Sequence, residues 1–186
     1  MKKILSCMAA IIFFSTVAMA ETDFFNISLT PNVAVYPRSD MIEGLTLSVW
    51  GENEQKALAL GLVNGSVGHS WGLNLGILNY ADSYKGPQFG LVNYTKHDST
   101  GFQIGFLFGL LISAVNYTGD NMTGLYTSVF NCAGNLTGVE LGFVNYADDA
   151  KGVQIGIINI IHRNSSWFSD LPNELAPAMI LVNWRF

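Results

Sequence analysis

A short unit keeps returning along this chain: Gly-φ-x-φ-Gly-φ-φ-Asn-Tyr, where φ is an apolar residue. The clearest copy is Gly72-Leu73-Asn74-Leu75-Gly76-Ile77-Leu78-Asn79-Tyr80, and others begin at Gly86, Gly138 and Gly152. The step between copies is about 14 to 15 residues, the length of one strand and one tight turn. The chain therefore reads as a run of similar strands. No position of the unit supplies a nucleophile or an acid–base pair, which argues against an ordinary enzyme and for a protein that builds a surface or a wall.

Weaker copies extend the series. They begin at Gly44, at Ala57, at Gly101, at Gly109 and at Gly124. The copies at Gly101 and Gly109 are offset by eight residues with no turn residues between them. An even offset keeps one side-chain face, so residues 101–117 read as one long strand or as two strands joined by a bend at Gly109. Residues 27–36 supply a first strand interrupted at Pro31. The links, such as Ala81-Asp82-Ser83-Tyr84-Lys85, are short, polar and rich in turn formers. Residues 162–177 differ. They are long and irregular, with Trp167, Phe168 and two prolines, and they are the candidate contact loop.

The two ends carry export signals. Lys2 and Lys3, the apolar stretch from Ile4 to Val17 and Ala18-Met19-Ala20 form a secretory leader over residues 1–20. Residues 21–186 then form a single repeat-built β domain. Cleavage removes Cys7 and leaves Cys132, so no disulfide framework is expected. At the other end, Ala178, Ile180, Val182, Trp184 and Phe186 alternate with Met179, Leu181, Asn183 and Arg185. This segment resembles the terminal strand of bacterial outer-membrane β-barrels. That resemblance implies an assembly signal made by Val182, Trp184 and Phe186, and the barrel assembly machinery as a partner.

Composition narrows the class. The formal net charge is −5 and the few basic residues are scattered, which offers no stripe for nucleic acid. After residue 20 no apolar stretch is long enough for a membrane helix. The glycines stand in register rather than in low-complexity runs, which indicates order.

Within the unit, alternate positions point to opposite sides of a sheet. One face is bulky and apolar up to its Asn, as in Val153, Ile155 and Ile157. The other is glycine, then a polar residue, then glycine. Its polar row comprises Asn74, Gln88, Gln103, Glu140 and Gln154, with Thr46 at the start of the series. A tight polar lumen needs small residues and satisfiable polar groups, whereas a lipid-facing wall needs bulky aliphatics. The expectation is an all-β fold, an antiparallel up-and-down meander closed as a small β-barrel of about 8–10 strands, with that row lining the lumen. Two features pull against it. The bulky face spans about 13 Å per unit at ~3.3 Å per residue, against about 25 Å for a barrel's belt. Most links are also short. The alternatives are a soluble β-meander and a solenoid. A solenoid is disfavoured because its return segments, such as residues 81–85, offer no apolar face to stack.

The copies Gly86-Pro87-Gln88-Phe89-Gly90-Leu91-Val92-Asn93-Tyr94 and Gly152-Val153-Gln154-Ile155-Gly156-Ile157-Ile158-Asn159 resemble those of bacterial surface repeat-containing proteins, across about residues 58–160. The resemblance implies a place in the cell envelope and brings no catalytic residues.

Other chemistry is sparse. His69, His97 and His162 lie in links without metal-ligand spacing. Ser66 and His69 lack the strand–turn–helix setting of a nucleophile elbow. The strand-end asparagines, from Asn64 to Asn159, are expected to bond their own turns, the other reading being a binding ladder. No catalytic residue, metal or cofactor is expected, and the oligomeric state is not set. The functional expectation is a small outer-membrane barrel with a structural or surface role and no wide pore, in contact with outer-membrane lipid. The alternative is a soluble secreted or periplasmic β-domain that binds a partner through residues 162–177.

Overall fold

A computed structural model of the chain describes residues 22–104 and 113–186. The expected leader, and Gly109 with the bend placed there, lie outside the described residues.

The strands are β1 (Thr22–Thr30), β2 (Val33–Ala34), β3 (Met41–Leu75), β4 (Leu78–Lys85), β5 (Gln88–Phe89), β6 (Val92–Thr95), β7 (Ser99–Ile104), β8 (Ser113–Ile161) and β9 (Ala178–Arg185). They form one mixed sheet in which nearly every pairing is parallel. The register repeats the sequence unit: Asn79 faces Asn93, which faces Asn116, and Gln88 faces Gln103. Each copy of the unit thus lies on the same positions of the copy before it. The expected antiparallel meander and closed barrel are corrected by this register. The chain winds as a stack of parallel coils, a solenoid, and the extended stretches β3 and β8 are successive coils running into one another.

Two local features make the coil. First, the alternation of the unit breaks at its apolar doublet. Gln154 and Asn159 are both fully buried, while Ile157 and Ile158 between them both point outward. Two consecutive outward residues turn a corner and bring both polar positions to the inside. Second, a row of glycines stacks from coil to coil with φ near +130°. Gly138, at 131°, is typical, and a Cβ built on it would overlap the carbonyl oxygen of Gly124. Only glycine allows both that backbone angle and that approach.

The described residues on either side of 105–112 take the positions of neighbouring copies of the unit. Gly101 faces Gly124 and Gln103 faces Tyr126, while Asn116 faces Asn93. The return segments do pack inward, using Ala81 and Tyr84, which are 3% and 2% exposed.

The interior is polar for much of its length. Asn64 Nδ2 donates to Asn79 Oδ1 at 2.9 Å, Asn79 to Asn93 at 2.9 Å, Asn93 to Asn116 at 3.0 Å and Asn116 to Asn131 at 3.0 Å. Asn131 donates to Asn145 at 2.8 Å and Asn145 to Asn159 at 2.7 Å. Most of these amides also cap a backbone carbonyl of the following coil, as Asn131 does with Leu141 at 3.1 Å. The asparagines therefore bond chiefly from coil to coil, with Asn159 also closing on its own turn at Gly156. An apolar cluster of Met122, Tyr126, Ala133, Leu136, Ala147, Ala150 and Ile161 fills the C-terminal half.

Both ends of the stack are covered. β2 pairs antiparallel with β1 at the start, and β9 pairs antiparallel with the last coil, Val153 opposite Trp184.

These contacts set the energetics of substitution. Asn131→Ala strips a partner from Asn116, Ser128, Leu141 and Asn145 and is expected to cost about 2–4 kcal/mol. Gly138→Ala is expected to cost more than about 3 kcal/mol. Asn135→Ala, which removes an exposed bond to Asn121, should stay within about 0.5 kcal/mol. Urea unfolding midpoints of the three variants check this order.

Candidate functional site

The coil register gathers the polar row in one place. Asn74, Gln88, Gln103, Glu140 and Gln154 are each fully buried, in line along the interior, with Tyr126 between Gln103 and Glu140. The fold is not a barrel, so the row faces the inside of a solenoid rather than a lumen. Gln103 Nε2 donates to Gln88 Oε1 at 2.8 Å and to Ser99 Oγ at 2.9 Å. Gln154 Nε2 donates to Glu140 Oε2 at 2.9 Å. Glu140 Oε1 and Gln154 Oε1 have no hydrogen-bond partner among the described residues. Burial pushes the Glu140 carboxyl up to about 8, against the opposing hydrogen bond from Gln154. At neutral pH Glu140 is mostly a neutral acid in a row of amides. The hydrogen bonds of the row run from coil to coil and hold the coils together.

The outside is the more unusual surface. Along much of the stack, positions flanking the buried amides point outward and are apolar. One row carries Leu75, Phe89, Leu141 and Ile155; the next carries Leu62, Ile77, Phe143 and Ile157; around the corner run Leu78, Val92, Phe130 and Ile158. Leu62, Ile77, Phe143 and Ile157 are each more than half exposed. Two bands border this wall. One is the tyrosine row Tyr80, Tyr94, Tyr117 and Tyr146, in which Tyr94 and Tyr117 stack at 5.1 Å. Its first member, Tyr80, donates to Glu52 at 2.5 Å and accepts from Trp50 Nε1 at 3.0 Å. The other is the row of Trp71 and Lys85. Between them the wall dips into a groove of about 680 Å³ lined by Ala57, Trp71, Leu73, Lys85 and Pro87.

Beyond the bands the surface turns polar. Asp98 accepts from Asn121 at 2.7 Å, His97 pairs with Asp120 at 2.9 Å, and Arg163 pairs with Asp149 at 3.0 Å. His97 is therefore tied to an acid, while His69 and His162 are exposed. No group of metal-binding side chains occurs among the described residues. Cys132 is half-buried, and burial pushes its thiol up.

The loop over residues 162–177 is built around Glu174. Its buried carboxylate accepts from the backbone N–H groups of Ser165 and Ser166 at 2.8 and 3.0 Å, and from Arg185 Nη1 at 2.9 Å. The Ser165 backbone N–H, aided by the Ser166 donors, holds this carboxyl below its ordinary range against the effect of burial. Trp167 and Phe168 are side by side and 60% and 51% exposed. Val182 and Trp184 lie on β9, half-buried, whereas Phe186 is exposed just beyond it and its N–H donates to Asn173.

The sequence singled out the interior row and the loop, and it also places the bulky face outward, where Phe143, Ile155 and Ile157 stand, although on a solenoid and not on a barrel. The signal for that face was present in the same unit, in the bulky residues assigned to lipid around a barrel.

Glu140 yields a pH test. Between its ordinary value of 4.5 and about 8 the unfolded chain releases this proton while the folded chain keeps it. Stability should fall as pH rises through that window, by up to about 1.4 kcal/mol per pH unit, and level off above it. Glu140→Gln should match the parent near the low end and be more stable at the high end. Thermal unfolding of both proteins across the window checks the divergence. No family model, no curated protein and no solved structure matches this chain, so its own geometry carries the functional reading.

Proposed function

We propose that this is an exported, non-catalytic protein of the bacterial cell envelope that works by laying its apolar outer wall against an apolar partner. The observation that carries this reading is the inversion of the coil: amides are buried and aliphatic and aromatic side chains are outside. Ordinary monomers keep contiguous apolar patches to a few hundred Å². At ~4.8 Å per coil, the rows running from the Asn64 coil to the Asn159 coil extend roughly 30 Å. Such a surface in water is costly unless something covers it.

The leader over residues 1–20 supports export, and the resemblance of the unit to surface repeat-containing proteins supports an envelope location. The role is structural or adhesive, since neither the interior row nor the polar wall assembles a nucleophile with a base. A second contact is favoured at Trp167 and Phe168, because a loop fixed by Glu174 presents two adjacent aromatic rings to solvent.

The test is fractionation of the expressed protein. The wild type should remain with the envelope fraction. Phe143→Asp combined with Ile157→Asp should release most of it to the soluble fraction, while Asn135→Ala on the polar wall should not. Equal retention of all three proteins would sink the reading.

A further inference from the structure

We infer that Glu140 and Gln154 form a proton-dependent clasp between the last two coils of the stack. Glu140 Oε1 carries a proton and donates it to Gln154 Oε1, and losing that proton loosens the C-terminal coil while the coils before it stay closed. The clasp is independent of the docking reading, because both of its residues are interior.

A contrast between two pairs in the same row carries this. In each pair one hydrogen bond joins neighbouring coils, Gln103 Nε2 to Gln88 Oε1 at 2.8 Å and Gln154 Nε2 to Glu140 Oε2 at 2.9 Å. In each pair the other terminal atom of both residues is buried without a partner among the described residues. For the glutamines those two atoms are a donor and an acceptor, Gln88 Nε2 and Gln103 Oε1. For the second pair both are oxygens, Glu140 Oε1 and Gln154 Oε1. An amide brings its own second donor to a reciprocal pair, whereas a carboxyl brings one only when it is protonated. Two buried acceptors left without any donor are costly, and a single proton on Glu140 satisfies both.

The polar groups on either side of the pair are committed elsewhere. Asn183 faces Gln154, but its Nδ2 donates to the carbonyls of Ala176 at 2.9 Å and Asn159 at 3.4 Å, and its Oδ1 accepts from the Trp184 N–H. Tyr126, on the coil before Glu140, directs its hydroxyl to the carbonyls of Ser99 and Thr123 at 3.0 and 3.1 Å. Tyr126 and Cys132 are the titratable side chains that feel the Glu140 charge, and burial pushes both up, Tyr126 to about 12. Both stay neutral while Glu140 titrates. Asp148, which acts on Cys132, is a further acid, and among the described residues no cation offsets the Glu140 charge. As pH rises through about 8 the proton leaves, Gln154 Oε1 loses its donor and a buried charge enters the joint.

The joint holds the coil on which β9 lies, Gln154 opposite Asn183, and from which the loop over residues 162–177 departs. Asn145 also bonds across it, to Asn159 at 2.7 Å and to the Ile155 carbonyl at 3.0 Å. Deprotonation therefore weakens this joint without cutting it, and the opening is local. The ladder from Asn64 to Asn131 is made of amides, which do not titrate, and stays closed.

The experiment combines carbon-13 NMR of the Glu140 carboxyl with hydrogen exchange of the backbone amides, corrected for the intrinsic rise of exchange with pH. Both run on the full chain from neutral pH to about one unit above the midpoint of about 8. Glu140 should be protonated at neutral pH. As it ionises, protection over residues 152–161 should fall by up to about tenfold per pH unit, with the coils from Asn64 to Asn116 unchanged. Glu140→Gln, which keeps a donor at that position at every pH, should show no such fall. A Glu140 already ionised at neutral pH would overturn the proton, and the wild type alone decides that. Protection that holds while Glu140 ionises, that falls equally in every coil, or that falls equally in Glu140→Gln would overturn the clasp.

Discussion

From Asn79 to Asn145 each asparagine of the interior ladder is at once a donor to the next coil and an acceptor from the one before, and the rest of the structure depends on that pairing. An unpartnered amide in a dry interior costs more than its hydrogen bond returns when made. An asparagine ladder is therefore stable only as a ladder. Once Asn79 is inside, Asn93 must sit over it, and the spacing of about 14 to 15 residues becomes a structural constant. Where the sequence departs from that spacing, the fold keeps the ladder. Asn93 and Asn116 are 23 residues apart yet bond at 3.0 Å.

The ladder also explains why the interior can be narrow. Side chains that bond along the stack need little width, and the positions beside them are small, such as Ala81, Ser99 and Ala147. The glycine row serves the same end, bringing Gly138 onto the Gly124 carbonyl. Tyr126 and Met122 replace amide pairing with apolar packing further along, and Glu140 enters that half as a neutral acid. Polar and apolar stretches of the interior are thus two ways of filling a narrow coil, by amide pairing in one and by apolar packing in the other.

Much of this was legible in the sequence. The repeat, its step and the common face of Asn74, Gln88, Gln103, Glu140 and Gln154 could be read directly, as could an all-β fold. The winding could not. A strand and a tight turn occupy the same length as one solenoid coil, so the period alone does not distinguish antiparallel from parallel pairing. Residues 81–85, which lack an apolar face, make the solenoid the less favoured of the readings the sequence leaves open, but a coil with an amide interior asks only for Ala81 and Tyr84 to point inward. Strict alternation placed the asparagines on the bulky face; the corner at Ile157 and Ile158 shifts the parity and takes Asn159 inside with Gln154. Val182 and Trp184 read as a barrel's closing strand, and β9 is indeed antiparallel, but what it closes is the end of a stack.

The inversion of the coil links stability to function. In most small β proteins the bulky aliphatics are spent on the core, and the surface is what remains. Here cohesion is supplied by backbone ladders and side-chain amides, which leaves Leu62, Ile77, Phe143 and Ile157 with no structural duty inside. Residues of that kind repeated in register on one side, at a cost in water that rises with every added coil, are not a by-product of folding. A stack that needed only to be stable could carry threonine at each of those positions, with the same backbone pairing and the same interior. Under the proposed docking, the apolar choice at them is made by whatever the wall meets.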